Sequence, residues 1–130
     1  MKVLDTDFLI ELFRGNQQTK NFLLNLQLKG EEITTTVFNY QETLFGMVLK
    51  KDEIAIEKAK MFFQSIKIFN YNEKAVIEGI KVQLVLRKKG KAIGLFDEMI
   101  SGICIANNAT LVTRNAKHFS QVPNLKIKVW

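Results

Sequence analysis

The chain has 130 residues, of which 47% are hydrophobic, and its formal net charge is +6. This size predicts one domain over residues 1–130, and no apolar run approaches the roughly 18 residues that a membrane helix needs. The start lacks the pattern of a signal peptide, so we expect a cytoplasmic protein with no membrane partner. The positive charge favours a polyanionic partner, although many lysine-rich helix faces serve only solubility.

Two aspartates stand where the first predicted strand gives way to the first helix. Val3 and Leu4 form the strand, and residues 8–13 carry the apolar stripe of the helix. Asp5 and Asp7 therefore lie at a strand-to-helix turn, which in an open α/β sheet is the edge where ligands bind. The alternative is that they only cap the helix.

The second predicted strand is followed by another helix with an acid inside it. Residues 17–29 suggest a packing helix, residues 33–35 a strand, and Thr36 the cap of a helix that continues to about Leu49. Projected at 100° per residue, Glu42 falls at the border of the apolar face and is partly turned inward. It could equally be a boundary glutamate whose stem covers apolar surface.

The middle of the chain continues the alternation and ends in the densest positive patch. Asp52 is placed to cap a helix that extends to Ile66, residues 67–69 read as a third strand, and residues 73–88 as a long helix. The patch lies where that helix ends. It contains Arg87, Lys88, Lys89 and Lys91.

The last third adds a small-residue helix and two strands. Asp97 falls in the first turn of the helix, as a possible cap, and Cys104 between two isoleucines is expected to be a buried, inert thiol. Residues 111–113 and 125–129 read as strands, the second of them at an edge. Strands separated by helical crossovers predict a three-layer α/β/α fold with a mostly parallel four- to five-stranded sheet and helices on both faces.

The acids of three segments can therefore meet at one edge of this sheet. Two carboxylates about 4 Å apart repel by about 4 kcal/mol at an effective dielectric near 20, so such a cluster needs a cation. Oxygen ligands suit Mg²⁺ or Mn²⁺, whereas zinc prefers nitrogen or sulfur and the chain has one His and one Cys. A carboxylate-bound magnesium is suited to hydrolysis of phosphodiesters, without distinguishing RNA from DNA.

The order and spacing of these segments resemble the PIN-domain ribonucleases of the VapC type, the toxins of toxin–antitoxin pairs. The matching segments are residues 3–10, 40–46, 93–97, 111–119 and 122–127. The resemblance implies a PIN-like fold and an endoribonuclease that cleaves RNA with a metal-activated water. It also implies a homodimer and a separately encoded antitoxin that covers the acidic groove.

The resemblance assigns roles to individual residues. It implies a Mg²⁺ or Mn²⁺ site built from Asp5, Glu42 and Asp97. Asp7 becomes a supporting residue or the cap of the first helix, and many members have Asp where this chain has Asn115, so a second metal would be weaker or absent. Thr6 and Thr113 would contribute nearby hydroxyl groups. Positive charge makes Arg114 and the patch from Arg87 to Lys91 candidates for contacts with RNA phosphates, and the alternative is that these residues are only a solvated surface.

Two other functions remain open at this stage. A phosphoacceptor receiver domain also gathers acids at a sheet edge, but it needs an Asp after the third strand, where this chain has Asn70. A catalytically weak or inactive module that binds RNA or a partner is compatible with Asn115 at the fourth acidic position. His118, on a short turn after Lys117, is not favoured as a general base.

Overall fold

A computed structural model describes all residues, 1–130, and contains five strands and seven helices. The strands are β1 (Lys2–Leu4), β2 (Ile33–Thr36), β3 (Lys67–Phe69), β4 (Thr110–Val112) and β5 (Lys126–Lys128). The helices are α1 (Thr6–Phe13), α2 (Gln17–Leu28), α3 (Val37–Leu49), α4 (Glu53–Ser65), α5 (Glu73–Lys88), α6 (Leu95–Ala106) and α7 (Ala116–Phe119).

The five strands form one parallel sheet in the order β3-β2-β1-β4-β5. β1 is the central strand and pairs with β2 on one side and with β4 on the other. All carboxyl ends of the strands therefore lie at the same edge. The predicted three-layer fold is confirmed, with the sheet at five strands and parallel throughout.

Both faces of the sheet are covered by apolar side chains. Consecutive strand residues point to opposite faces, and accordingly Val3 belongs to one buried cluster and Leu4 to the other. The first cluster is closed by α5 and α6, which pack so tightly that a Cβ on Gly102 would lie 2.6 Å from the carbonyl oxygen of Ala75. The second cluster includes Phe8 of α1 and Phe63 of α4.

The helix starts explain why the polar residues gather at the carboxyl edge. Thr36 and Asp52 cap α3 and α4 as predicted. The cap of α1 is Asp5, which accepts a hydrogen bond from the backbone N–H of Thr6 at 2.8 Å, so the expectation that Asp7 could be that cap is wrong. The reason is that β1 ends at Leu4, which leaves Asp5 alone between strand and helix.

Helix α3 differs from the prediction in the direction of its apolar face. Phe45, Val48 and Leu49 are exposed, whereas its buried residues are Asn39 and Thr43. Tyr40, Leu44 and Met47 pack against the second buried cluster, so the inward face of α3 is rotated away from Leu49 and Glu42 relative to the predicted face. No helix of the protein has both the length and the apolar character needed to cross a membrane.

Candidate active site

Asp5 lies at the centre of the carboxyl edge, where three strands meet. Its carboxylate accepts hydrogen bonds from Thr113 Oγ1 at 2.6 Å and from Asn39 Nδ2 at 3.0 Å, in addition to the backbone of Thr6. Thr113 follows β4 and Asn39 lies in the first turn of the helix that follows β2. A carboxylate at the end of the central strand is thus fixed by donors from both neighbouring strands.

A second chain of hydrogen bonds connects this carboxylate to Glu42. Asn39 Nδ2 also donates to Thr6 Oγ1 at 3.0 Å, and the Thr6 hydroxyl donates to Glu42 Oε2 at 2.7 Å. The amide of Asn39 is oriented by Thr36, whose hydroxyl donates to its Oδ1 at 2.6 Å. Glu42 itself is exposed, less inward than predicted, but the Thr6 hydroxyl and the Asn39 amide connect its carboxylate to that of Asp5.

Asp97 approaches the same edge from the first turn of α6. Its Oδ2 lies 2.8 Å from Nε2 of His118, which belongs to α7. The same nitrogen lies 2.8 Å from the carbonyl oxygen of Ile93. Asp97 is therefore a half-buried carboxylate with a side-chain partner of its own.

The acids influence one another electrostatically. Burial raises the pKa of Asp5 from 3.8 to about 6, the hydrogen bonds from Thr113 and Thr6 lower it, and the charges of Asp7 and Asp97 raise it. Burial also raises the pKa of Asp97, His118 lowers it, and Glu42 and Asp7 raise it further. The edge therefore disfavours the accumulation of negative charge.

The donor chemistry fits a hard divalent cation. No three Asp, Glu, His or Cys side chains lie close enough together to coordinate one metal ion as they stand. Instead, Thr113, Thr6 and His118 each hold one of the acids, and donor contacts of this kind offset the repulsion between them. A cation would relieve the same repulsion, and the available carboxylate oxygens are those that Mg²⁺ or Mn²⁺ prefers.

Two further predicted ligands lie at the margin of this group. Asp7 is exposed in the first turn of α1, and its charge is felt by Asp5 and Asp97. Asn115 is exposed two residues after Thr113, and its backbone N–H donates to the hydroxyl of Thr113 at 3.0 Å. Its side chain makes no capping bond to α7.

The basic residues differ in how close they come to these acids. Lys91 and Asn115 line one surface depression together with His118, the partner of Asp97. Arg114 follows Thr113 at the carboxyl edge of the sheet, and its guanidinium lies 3.7 Å from the ring centre of Trp130. The remaining basic candidates are exposed at the end of α5 and are not among the residues of that depression. They are Arg87, Lys88 and Lys89.

Two residues of this network were missed or undervalued in the sequence. Asn39 was missed because apolar periodicity gives no weight to an amide, although its spacing from the predicted cap Thr36 was a usable signal. His118 was considered only as a base, whereas the structure places it against Asp97. Its contact depends on the loop that carries Ile93, which no periodicity describes.

Cys104 behaves as the sequence predicted. It is fully buried, and burial, with a smaller effect of the charge of Asp5, raises its thiol pKa well above the usual range. A thiol in this state is not ionised at neutral pH and does not act as a nucleophile. The reactive groups at this edge are therefore oxygen atoms.

The family model of the PIN domain matches residues 2–125, and the chain belongs to this family, as the sequence predicted. It is 30% identical over 131 residues to Ribonuclease VapC2 of Rickettsia felis, covering 98% of this chain and 96% of that protein. It is 28% identical to Ribonuclease VapC19 of Mycobacterium tuberculosis, covering 97% and 98% of the two chains.

A solved structure gives the same result. The crystal structure of VapBC2 from Rickettsia felis, bound to a DNA fragment from their promoter, superposes with a TM-score of 0.90 at 29% identity and covers 99% of this chain and 98% of that one. These relatives support the function expected from the sequence, a toxin endoribonuclease of a toxin–antitoxin pair. Nucleases with a PIN domain generally depend on a divalent metal.

Proposed function

We propose that this protein is an endoribonuclease that hydrolyses RNA phosphodiester bonds with Mg²⁺ or Mn²⁺ and that it acts as the toxin of a toxin–antitoxin pair. One observation carries the proposal. Asp5 is fixed by Thr113 and Asn39 at the point where β1, β2 and β4 end, and Glu42 and Asp97 lie close enough to join it in one electrostatic group. The ribonuclease relatives agree with such chemistry.

The proposed division of labour follows from the contacts. Asp5, Glu42 and Asp97 would hold the cation, with Asp7 and the carbonyl of Asn115 at its margin. The cation would supply an activated water molecule and charge stabilisation on the phosphate oxygens. Thr113, Thr6 and Asn39 keep the carboxylates in fixed directions, which limits the reorganisation needed when substrate arrives.

We further propose that RNA reaches this edge along the basic residues. Lys91 lies in the depression next to Asp97 and His118, so it can neutralise a phosphate close to the acids. Arg114 would do the same on the side of Asp5. The exposed residues Arg87, Lys88 and Lys89 would add long-range attraction, which raises the rate of encounter and weakens with salt.

The partners in this proposal are an antitoxin and a second copy of the chain. The resemblance to VapC toxins suggests both, and the related VapBC2 structure supports the first. Co-expression with the small DNA-binding protein encoded beside this chain should yield a complex that suppresses cleavage. An uninhibited nuclease in that mixture would contradict the toxin role but not the nuclease role.

Cleavage of RNA by the purified protein, with Mg²⁺, Mn²⁺ or EDTA, tests the enzyme itself. We expect products only with a divalent cation, and none from Asp97→Asn. The matched control is Asp52→Asn, which removes an acid that caps α4 far from this edge. Cleavage that persists in EDTA or in Asp97→Asn would reject the mechanism.

The second candidate function is an RNA-binding or partner-binding module with weak or no catalysis. It is favoured by Asn115 at the fourth acidic position and by the separate partners that hold each acid apart. RNA binding that is equal with Mg²⁺ and with EDTA, without cleavage of structured or unstructured RNA, would select this function.

A further inference from the structure

The contact between Arg114 and Trp130 has no role in the site described so far. Arg114 Cζ lies 3.7 Å from the centre of the Trp130 ring, so the guanidinium stacks directly on the indole. Trp130 is only 9% exposed and meets Phe8 edge-to-face at 5.1 Å between ring centres. The arginine is exposed, but it rests on a ring that belongs to the core.

The guanidinium has no acceptor within the protein. Arg114 takes part in no side-chain hydrogen bond and no ion pair, whereas Arg14 pairs with Glu11 at 3.1 Å. A guanidinium donates in its own plane, and stacking occupies only one face. All five N–H donors of Arg114 are therefore free while the direction of their plane is fixed.

The buried indole of Trp130 carries an unpaired donor. Its Nε1–H is buried and has no hydrogen-bond partner, and burying an unpaired donor is destabilising. Phenylalanine would fill much of the space without that penalty. Tryptophan, however, offers the aromatic face that attracts a cation most strongly, and that face is the one on which Arg114 stacks.

The position of this pair relates it to the acids. Arg114 is covalently next to Thr113, whose hydroxyl holds Asp5, and Trp130 follows β5 at the same carboxyl edge, because β4 and β5 are parallel. A planar cation with unpaired coplanar donors matches two oxygens of one phosphate. Lysine, a point charge on a mobile stem, would not.

We infer that Arg114 binds one phosphate of the RNA backbone through two coplanar N–H donors and that Trp130 is the positioning residue that holds its guanidinium for this contact. The inference rests on the proposed function and names one substrate contact of that site. The ligand chemistry is a phosphodiester group, not a base.

Binding of a short labelled oligouridine in EDTA, measured by anisotropy over a series of salt concentrations, tests this contact without cleavage. Loss of one phosphate contact lowers the slope of log K against log salt by about 0.7 for a single strand. We expect this loss in Arg114→Ala. Arg114→Lys should keep most of the slope but bind more weakly, and the control Arg14→Ala should match the wild type.

The variant Trp130→Phe tests the positioning role, because it removes the unsatisfied N–H and keeps an aromatic contact with Phe8. We expect a folded protein of unchanged or higher thermal stability that binds oligouridine more weakly. In a protein that already carries Arg114→Ala, the change Trp130→Phe should have no further effect on the affinity for oligouridine. Additive effects of the two changes would overturn the inference.

Trp130 also supplies a direct signal, because it is the only tryptophan in the chain. Oligouridine should change its fluorescence, whereas the same ionic strength of potassium chloride should not. An affinity loss in Arg114→Ala with an unchanged salt slope would indicate base stacking instead and would reject the phosphate contact. Cleavage by a protein that fails these tests would leave the nuclease proposal intact.

Discussion

Nε2 of His118 lies 2.8 Å from Oδ2 of Asp97 and 2.8 Å from the carbonyl oxygen of Ile93. A carbonyl can only accept, and an ionised carboxylate can only accept, so Nε2 carries the proton and donates to both. His118 thereby ties the first turn of α6 to α7 and to the loop before α6. It directs the Asp97 carboxylate and does not serve as a base at this nitrogen.

Replacing His118 by leucine should weaken metal binding. Loss of a partner that orients a ligand typically costs about 10–100-fold in metal affinity or activity. His118→Gln, whose amide can replace the Nε2–H donor, should retain more of both. Isothermal titration with Mn²⁺ and cleavage at several Mn²⁺ concentrations measure the effect, and Lys117→Gln is the neighbouring control. Equal Mn²⁺ affinity in His118→Leu and wild type would contradict this role.

The stability of the metal-free protein should depend on the ionisation of Asp5. Its folded pKa of about 6 exceeds the unfolded value of 3.8, so the folded state binds this proton more tightly. The resulting stability is complete below pH 3.8 and is lost as the pH rises through about 6, a difference of about 3 kcal/mol. Mn²⁺ should restore it at neutral pH.

Urea unfolding in EDTA at a series of pH values, with Asp5→Asn as reference, measures this contribution. The variant cannot ionise at residue 5, so the wild type should lose stability relative to it between about pH 4 and pH 7. If the free energy of unfolding varies with pH in the same way for both proteins, the ionisation of Asp5 does not destabilise the folded state, and the prediction is wrong.

Asn115→Asp should strengthen cation binding, because it adds a carboxylate at the exposed margin next to Thr113. We expect tighter Mn²⁺ binding, together with lower metal-free stability from added repulsion with Asp97 and Asp5. Asn25→Asp makes the same charge change on exposed α2 and serves as control. If both variants bind Mn²⁺ equally, Asn115 is not part of the cation site.

A methyl group at Gly102 should be destabilising, and one at Gly46 should not. The Cβ of Gly102→Ala would meet the backbone of α5 at 2.6–2.8 Å, which forces the helices apart, a change that typically costs about 1–3 kcal/mol. Gly46 has no atom within 4 Å of such a Cβ, so Gly46→Ala should stabilise α3 by about 0.5–1 kcal/mol. Thermal unfolding of both variants distinguishes these outcomes.

The order of strands and helices was accessible from the sequence because each element carries a local signal. Capping residues such as Thr36 and Asp52 and the β-branched strand residues are read within a few positions. The rotation of α3 about its axis was not predictable, because apolar residues lie on two sides of the helix: Leu44 packs on the core, whereas Phe45 and Leu49 face solvent. A helix packed on the sheet through Asn39 depends on partners 33 and 34 residues away.

The candidate site was predictable to the level of its acids but not of their partners. Chemistry and the family resemblance point to Asp5, Glu42 and Asp97, and the structure brings all three to one edge of the sheet, where their role as cation ligands stays a prediction. The contacts of His118 and Trp130 arise from loop paths and from close packing, which carry no periodic pattern. These contacts join residues of separate segments, as the distances from His118 to Asp97 and from Arg114 to Trp130 show.

The central position of β1 also sets the order in which the site can come into being during translation. Asp5 is synthesised well before Thr113, which donates a hydrogen bond to it and lies 108 residues later in the chain. Asp97 and His118 also follow Asp5 by many residues. A growing chain on the ribosome therefore lacks an assembled cleavage centre, and the RNA around it is protected from the emerging protein until β4 takes its place beside β1.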